Sequence, residues 1–143
     1  MGEHWPRGMI ALDEQLQGLD LEDAIARWYR GTVLVVKTLR PGTVIKDDAI
    51  PTLLRRLKQP TFVTINYADF WRRVPGDRRS CIVCLALAID QADKVSGWLR
   101  QLFRLPEFKT KAARMGKVVL ASPRRLRYYH MHERHVHILP WRT

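Results

Sequence analysis

The chain has 143 residues, of which 25 are Lys or Arg and 14 are Asp or Glu, so its formal net charge at pH 7 is +11. Its hydrophobic fraction of 46% and charged fraction of 27% are ordinary for a folded domain, which excludes a chain that is disordered for lack of apolar side chains. A chain of this length forms one domain whose hydrophobic core needs no disulfide or metal to support it.

The first predicted element is a short buried strand, Met9-Ile-Ala-Leu, which leads directly into the acidic pair Asp13 and Glu14. A helix is predicted next, over Leu21–Tyr29, because Asp20 is a candidate N-cap and two acids follow it in the first turn. An acidic pair at the end of a buried strand is not explained by solubility alone.

The middle of the chain continues the alternation of strands and helices. The β-branched run Gly31–Leu39 predicts a second strand, and Thr61–Ile65 predicts a third. Between them a helix is predicted to begin at Asp47 or Asp48. Proline is tolerated only in the first turn of a helix. Pro51 is therefore predicted to be the third residue of this helix, which favours Asp48 as the N-cap.

Residues 80–87 form the fourth predicted strand, and an apolar stripe predicts a helix over residues 90–104. Cys81 and Cys84 lie three residues apart on that strand, so their side chains point to opposite faces of the sheet. They are predicted to be core thiols, because no second cysteine pair completes a zinc site, and this fits a reducing cytoplasm. No apolar stretch has the length of a membrane span or a secretory leader, so we expect a cytoplasmic protein with no membrane contact.

The last third of the chain is basic. A helical stretch, Phe108–Met115, precedes a strand over Lys117–Leu120. Two further β segments, Arg125–His130 and Arg134–Leu139, pair either as a hairpin or as edge strands, and the sequence leaves both open. Strands that alternate with helices predict an α/β fold with a mainly parallel central sheet flanked by helices, here one domain over residues 1–143 with extra C-terminal β segments.

Oxygen-bearing side chains follow the first three predicted strands. They are Asp13 and Glu14, then Asp47 and Asp48, then Asn66 and Asp69. The carboxyl ends of parallel strands lie at one edge of a sheet, where open α/β folds bind their ligands. Carboxylate and amide oxygens suit Mg²⁺ or Mn²⁺, which activates water in phosphodiester cleavage. The alternative is that these residues only cap helices and form turns.

Three segments carry a family resemblance: Ile10–Leu16, with Asp-Glu after the strand, Asp47–Ile50, with Asp at the start of a helix, and Phe62–Phe70, with Thr-x-Asn-x-x-Asp-Phe. In this order they resemble the signatures of compact PIN-like proteins, over about residues 9–87, whereas residues 88–143 form the basic C-terminal part.

The resemblance implies a Mg²⁺-dependent or Mn²⁺-dependent endoribonuclease, usually the toxin of a toxin-antitoxin pair, with RNA as substrate and an antitoxin protein as partner. The residues it carries over are Asp13, Asp47 and Asp69, and Glu14 and Thr64 are the neighbours that position ligand or water. Among the strand-end acids, the candidate metal ligands are Asp13, Asp47, Asp48 and Asp69.

Asn66 departs from the family pattern, which has Asp at this position. An amide offers an oxygen ligand without a charge, so we expect weaker attraction for the metal. Asn66 stays in the candidate catalytic set, but the alternative is a catalytically weak nucleic-acid-binding or partner-binding protein of the same fold. A DNA-acting nuclease is a third hypothesis, since the sequence does not separate RNA from DNA.

Four histidines near the C-terminus form a second candidate site. His130 with His132, or His135 with His137, would share a strand face and hold a transition metal. The alternative is an exposed strand or a nucleic-acid contact.

Basic residues interleaved with aromatic ones favour an RNA groove with stacking platforms, although each basic run is alternatively a solvated face. The same surface would attract an acidic antitoxin, and the C-terminal β segments with exposed aromatic residues make a homodimer a further expectation. The predicted nucleic-acid-binding residues are Arg72, Arg73, Lys109, Lys111, Arg114, Arg124 and Arg125.

Overall fold

The computed structural model describes residues 8–39 and 49–142 of the protein. Its strands are β1 Met9–Leu12, β2 Thr32–Val35, β3 Pro60–Thr64, β4 Cys81–Leu85, β5 Lys117–Ser122, β6 Arg125–His130 and β7 His137–Pro140. They form one seven-stranded sheet in the order β2-β1-β3-β4-β5-β6-β7. The first five strands are parallel and the last two antiparallel, so the prediction of an α/β fold with a mainly parallel sheet is confirmed.

Helices cover both faces of the sheet, as expected for parallel strands joined by crossovers. They are α1 Leu21–Ala26, α2 Ile50–Arg55, α3 Tyr67–Phe70, α4 Val95–Leu102 and α5 Lys111–Arg114, with 3₁₀ helices at Glu14–Leu16, Val36–Leu39 and Ile89–Lys94. Helices α1 and α4 pack on the face that carries Ile10 and Leu12. Helices α2 and α3 pack on the opposite face, which carries Ala11 and Phe62.

The C-terminal segments resolve the choice that the sequence left open. Strand β6 forms an antiparallel hairpin with β5, and β7 pairs with β6 as the edge strand. β7 begins at His137 rather than at Arg134. Trp141 is buried just beyond it, and its indole nitrogen donates to the carbonyl of Ser122 at 2.6 Å. This bond ties the end of the described chain to the end of β5.

Several predicted boundaries were wrong. The second strand stops at Val35 because β1, its partner among the described strands, offers four residues, Met9–Leu12, and the chain then turns into a 3₁₀ helix. The helix predicted over residues 90–104 begins as 3₁₀ and becomes α-helical only over Val95–Leu102. Asp20 precedes α1 but caps nothing with its side chain, because its backbone is left-handed (φ 57°).

Helix α2 begins at Ile50, so Pro51 is its second residue rather than the third. Asp47 and Asp48 lie outside the described residues. The N-cap of α2 is Ala49, which makes no side-chain capping bond, so the predicted cap at Asp48 was wrong.

The two cysteines are placed as predicted. Both are buried and free, and Cys81 belongs to the core on one face while Cys84 belongs to the core on the other. Burial raises the pKa of the Cys81 thiol to about 12 and raises that of Cys84 as well, so both stay protonated and unreactive at neutral pH. Among the described residues, none of the helices has the length and apolar character needed to cross a membrane.

The short helix α3 is held by one side chain, Phe70, which is fully buried and packs on Phe62 with ring centroids 5.3 Å apart. We expect Phe70→Ala to lower the free energy of unfolding by about 3–5 kcal/mol, because it opens a cavity under the helix. Urea unfolding monitored by circular dichroism measures this. Tyr67→Ala in the same helix is the control, since Tyr67 is 43% exposed and should change stability by less than about 0.5 kcal/mol. Equal losses in the two variants would contradict the assignment of Phe70 as the anchor.

Candidate functional site

The carboxyl ends of β1 and β3 are the topological switch point of the sheet. These strands are neighbours, but the chain leaves β1 towards β2 through α1 on one face and leaves β3 towards β4 through α3 on the other. The two connections therefore diverge from the strand ends to opposite faces of the sheet. Ligands of open α/β sheets bind at such switch points.

Asp13 lies at this switch point, directly after β1, and is only 5% exposed. Its backbone N–H donates to the carbonyl of Val63 at 2.9 Å, which extends the sheet pairing by one residue. Its side chain caps the 3₁₀ helix Glu14–Leu16, since Oδ1 accepts from the N–H of Glu14 at 2.8 Å. Hydrogen bonds therefore hold both the backbone and the carboxylate of Asp13 in place.

Thr64, the last residue of β3, makes the main contact with that carboxylate. Leu12 and Val63 are in register, so the residues that follow them, Asp13 and Thr64, point to the same face. The Thr64 hydroxyl donates to Asp13 Oδ2 at 2.6 Å and accepts from the N–H of Asn66 at 2.9 Å. Gln15 Oε1 lies 3.4 Å from the same hydroxyl, a longer contact. Thr64 thus joins the end of β1 to the turn after β3.

Asn66 and Asp69 form the other side of the site. The Asn66 amide nitrogen Nδ2 donates to Asp69 Oδ2 at 2.7 Å, and the backbone N–H of Asp69 donates to the Asn66 carbonyl at 3.3 Å. Asp69 is exposed in α3, and Phe70 beside it anchors the helix in the core. An ionised Asp at position 66 could not donate this hydrogen bond, so Asn66 orients Asp69 in a way that the family pattern does not.

Glu14 supplies a second carboxylate next to Asp13. It is the first residue of the 3₁₀ helix, and its Oε2 atom is buried and has no hydrogen-bond partner among the described residues. A buried carboxylate oxygen without a donor carries a desolvation cost, which a bound cation or water would relieve.

The electrostatics of Asp13 are unusual in so basic a chain. Burial raises the pKa of the Asp13 carboxyl, and the hydrogen bonds from Thr64 and from the Glu14 N–H offset this only in part. The negative charge of Glu14 raises the Asp13 pKa further. None of the described Lys or Arg side chains forms an ion pair with Asp13 or Glu14. Asp13 and Glu14 therefore form a local negative centre without a basic partner in residues 8–39 and 49–142.

The structure brings together five of the predicted site residues at the ends of β1 and β3: Asp13, Glu14, Thr64, Asn66 and Asp69. Within the described ranges, no group of three or more His, Cys, Asp or Glu is arranged to hold a metal ion by itself. The other two predicted ligands, Asp47 and Asp48, fall in the segment between those ranges.

The predicted nucleic-acid-binding residues are spread over three places. Arg124 and Arg125 are exposed in the β5–β6 turn, at the same edge of the sheet as Asp13. Arg72 and Arg73 are exposed after α3, and the Arg72 guanidinium lies over the Tyr129 ring, 5.0 Å from its centroid. These residues do not form one continuous groove around Asp13.

The remaining three, Lys109, Lys111 and Arg114, lie near the amino ends of the strands. The Arg114 side chain contacts Thr61 in β3. Thr61 is in register with Ile10, which precedes Asp13 by three residues along the chain. Arg114 is also only 4% exposed. This group is therefore at the opposite edge of the sheet from the acidic site.

The structure brings His135 and His137 together, with ring centroids 4.7 Å apart, although only His137 belongs to β7. The strand face predicted for His130 and His132 was wrong. The chain turns after β6, with His132 in a left-handed conformation (φ 68°), and His135 precedes β7. His137 Nε2 also lies 2.8 Å from Glu133 Oε2, an exposed local pair. The turn explains the failure, because alternation holds only along an extended strand.

Two features of the site were missed by reasoning from sequence. One is the strand order, which makes β1 and β3 neighbours and creates the switch point. The other is Gln15, whose only signal was its position after the Asp-Glu pair.

Comparisons of this chain with protein-family models, with curated proteins and with solved structures give no match.

The buried charge of Asp13 predicts a gain in stability when it is removed. Because the folded-state pKa is raised, the protonated carboxyl contributes stability below its ordinary value of 3.8, and this contribution is lost as the pH rises through the folded-state pKa. We expect Asp13→Asn to melt at a higher temperature than the wild type at pH 7 in EDTA, and the difference to shrink as the pH falls towards 4.

Differential scanning calorimetry between pH 4 and pH 8 measures this effect. Stabilising changes of this kind are commonly worth about 0.5–2 kcal/mol. Asp93→Asn, an exposed carboxylate in a 3₁₀ helix, is the control and should change little. A lower melting temperature for Asp13→Asn at pH 7 would mean that the ionised carboxylate stabilises the fold.

Proposed function

We propose that the protein is a PIN-like, divalent-metal-dependent endoribonuclease whose active centre lies at the carboxyl ends of β1 and β3. The observation that carries this proposal is Asp13: a carboxylate that is buried, hydrogen-bonded by Thr64, placed beside Glu14 and without a described basic partner. Perturbed carboxylates in a crevice are typical of active sites. In a chain with net charge +11, the lack of a neutralising Lys or Arg favours a cation as the missing partner.

The donor set fits a hard divalent cation. The available atoms are carboxylate oxygens, and Glu14 Oε2 is buried without a partner. Each Asp13 oxygen accepts one hydrogen bond and has capacity for another contact. Asp13 and Asp69 would hold the ion, with Asp47 or Asp48 as the further predicted ligand, and Glu14 would position water beside them. When bound, Mg²⁺ or Mn²⁺ polarises a phosphoryl oxygen and lowers the pKa of bound water.

The protein's own groups then have distinct roles. Thr64 keeps the Asp13 carboxylate in one orientation by donating to Oδ2. Asn66 keeps Asp69 directed towards the turn after β3 by donating to its Oδ2 atom. Glu14 Oε2 is placed to accept a proton from water, since no other donor occupies it. Arg124 and Arg125, at the same edge, supply positive charge for the phosphate backbone of the substrate.

As for biological role, we propose that the enzyme is the toxin of a toxin-antitoxin pair, with an acidic antitoxin segment competing for the basic surface. This rests on the PIN-like sequence signatures and on the net charge. Asn66 supports the second candidate function, a catalytically weak nucleic-acid-binding or partner-binding protein, because the amide removes one negative charge from the site.

Cleavage of RNA tests the proposal directly. We expect the wild type to cut a mixed-sequence RNA with Mg²⁺ or Mn²⁺ and to lose this activity in EDTA. Asp13→Ala should reduce the rate at least about 10²-fold, because it removes a direct ligand. Thr64→Val, which removes only the hydroxyl that orients Asp13, should reduce it about 10–100-fold. Asp93→Ala is the matched control and should cut at the wild-type rate.

Gel analysis of end-labelled RNA, with single-stranded DNA in parallel, gives the readout. Equal cutting by wild type and Asp13→Ala would contradict the proposed centre. RNA binding without cleavage by any of the proteins would favour the second candidate function, and equal cleavage of DNA would favour a general nuclease.

A separate prediction concerns Asn66→Asp. This change adds a charge to the ligand set but removes the hydrogen bond to Asp69, and we expect the charge to dominate because ion binding depends on ligand charge. The Mg²⁺ concentration for half-maximal cleavage should fall several-fold. A rise instead would show that the orientation of Asp69 matters more than the charge. Asn66→Ala, which removes the bond without adding charge, should raise that concentration.

A further inference from the structure

A cavity of about 400 Å³ opens at the amino ends of the strands, at the opposite edge of the sheet from Asp13. Gly31, which precedes β2, forms part of its wall. Its described lining contains no acidic residue but six basic ones: Arg30, Arg100, Arg104, Lys109, Lys111 and Arg114. Such a concentration of positive charge attracts anions.

Aromatic rings form the other part of the wall. Trp28, Tyr29 and Phe103 contact one another edge to face, with centroids 5.8–6.0 Å apart, and all three line the cavity. The Trp28 indole nitrogen donates to the Ser96 hydroxyl at 2.8 Å, which fixes that ring to helix α4. The cavity therefore has a rigid apolar side next to its cationic side.

Arg114 lies at the floor of the cavity and is a buried cation without a described acidic partner. Its guanidinium donates to the carbonyl of Phe108 at 2.9 Å and to the Thr61 hydroxyl at 3.3 Å, and it lies 4.1 Å from the Phe103 centroid. Burial lowers its pKa. Buried charges are normally paired, and none of the described carboxylates forms an ion pair with it.

Tyr29 does not neutralise Arg114. Burial raises the pKa of the Tyr29 hydroxyl, so at neutral pH this group is an uncharged phenol beside the guanidinium. The positive charge at the floor of the cavity therefore remains to be balanced from outside the described residues.

We propose that this cavity binds a nucleoside phosphate, with the phosphate at the basic residues and the base against the aromatic wall. The volume is within the usual range for small-ligand sites, and base stacking on aromatic side chains together with Arg and Lys contacts to phosphate is the common chemistry of nucleotide recognition. The ligand is either a free nucleotide or a nucleotide of an RNA strand, which present the same groups.

The proposal does not rest on the ribonuclease function. Arg114 contacts Thr61, and Thr64 lies three residues further along β3, which is about 10 Å in a strand. The cavity and the acidic site thus lie at opposite ends of the same strand. Either one can bind its ligand when the other is disabled.

Isothermal titration calorimetry of the full chain in EDTA, with AMP, adenosine and inorganic phosphate as separate probes, tests the cavity. We expect AMP to bind at least 10-fold more tightly than either part alone. Arg100→Gln/Arg104→Gln removes two exposed charges from the wall and should weaken AMP binding at least 10-fold. Arg55→Gln/Arg56→Gln removes two exposed charges at the end of α2, on the other face of the sheet, and should change it less than 2-fold.

Two results would overturn the proposal: equal losses in the two double variants, or AMP binding no tighter than inorganic phosphate. The source of the nucleotide is decided on the wild type with a 5′-phosphorylated RNA trinucleotide and its 5′-hydroxyl counterpart. Tighter binding of the phosphorylated trinucleotide than of AMP assigns the cavity to RNA, and the reverse assigns it to a free nucleotide. Because metal is absent and cleavage is not measured, failure here leaves the proposed ribonuclease centre untouched.

Discussion

The hydrogen bond from the Thr64 hydroxyl to Asp13 Oδ2 is the interaction on which the architecture of the site depends. It joins the ends of two parallel strands that are adjacent in the sheet but 51 residues apart in sequence. It holds an ionisable group in the interior, and the same hydroxyl accepts from Asn66 and so fixes the turn that leads to Asp69. Through Thr64, this bond positions Asp13 relative to the turn that carries Asn66 and Asp69.

Charge is segregated along the strand direction. The carboxyl edge of β1 and β3 carries Asp13 and Glu14 without a described basic partner, and the amino edge carries the six basic residues that line the cavity. This segregation is consistent with the two proposals, a cation at the carboxyl edge and a phosphate at the amino edge.

The sequence was sufficient for the alternation of strands and helices, for the opposite facing of Cys81 and Cys84, and for the grouping of Asp13 with Asn66 and Asp69. These follow from local periodicity and from the rule that parallel strands end at one edge. The sequence was not sufficient to predict where β2 ends, because this depends on the length of the neighbouring strand. Nor could it predict the burial of Arg114, which depends on tertiary packing. Strand order, the source of the switch point, is likewise a property of the whole chain.

We propose that Asp13 and its neighbours bind a divalent cation at the switch point. The most direct test is a Mn²⁺ titration followed by ¹⁵N–¹H NMR, in which the paramagnetic ion broadens nearby amides. We expect substoichiometric Mn²⁺ to broaden the amide signals of Glu14 and Asn66, whose N–H groups donate to Asp13 and Thr64. The signal of Gly116, at the opposite edge of the sheet, should stay sharp. Asp13→Asn should remove the effect. Broadening centred on the exposed acids Glu22 and Asp23 instead, or unchanged by Asp13→Asn, would contradict the account.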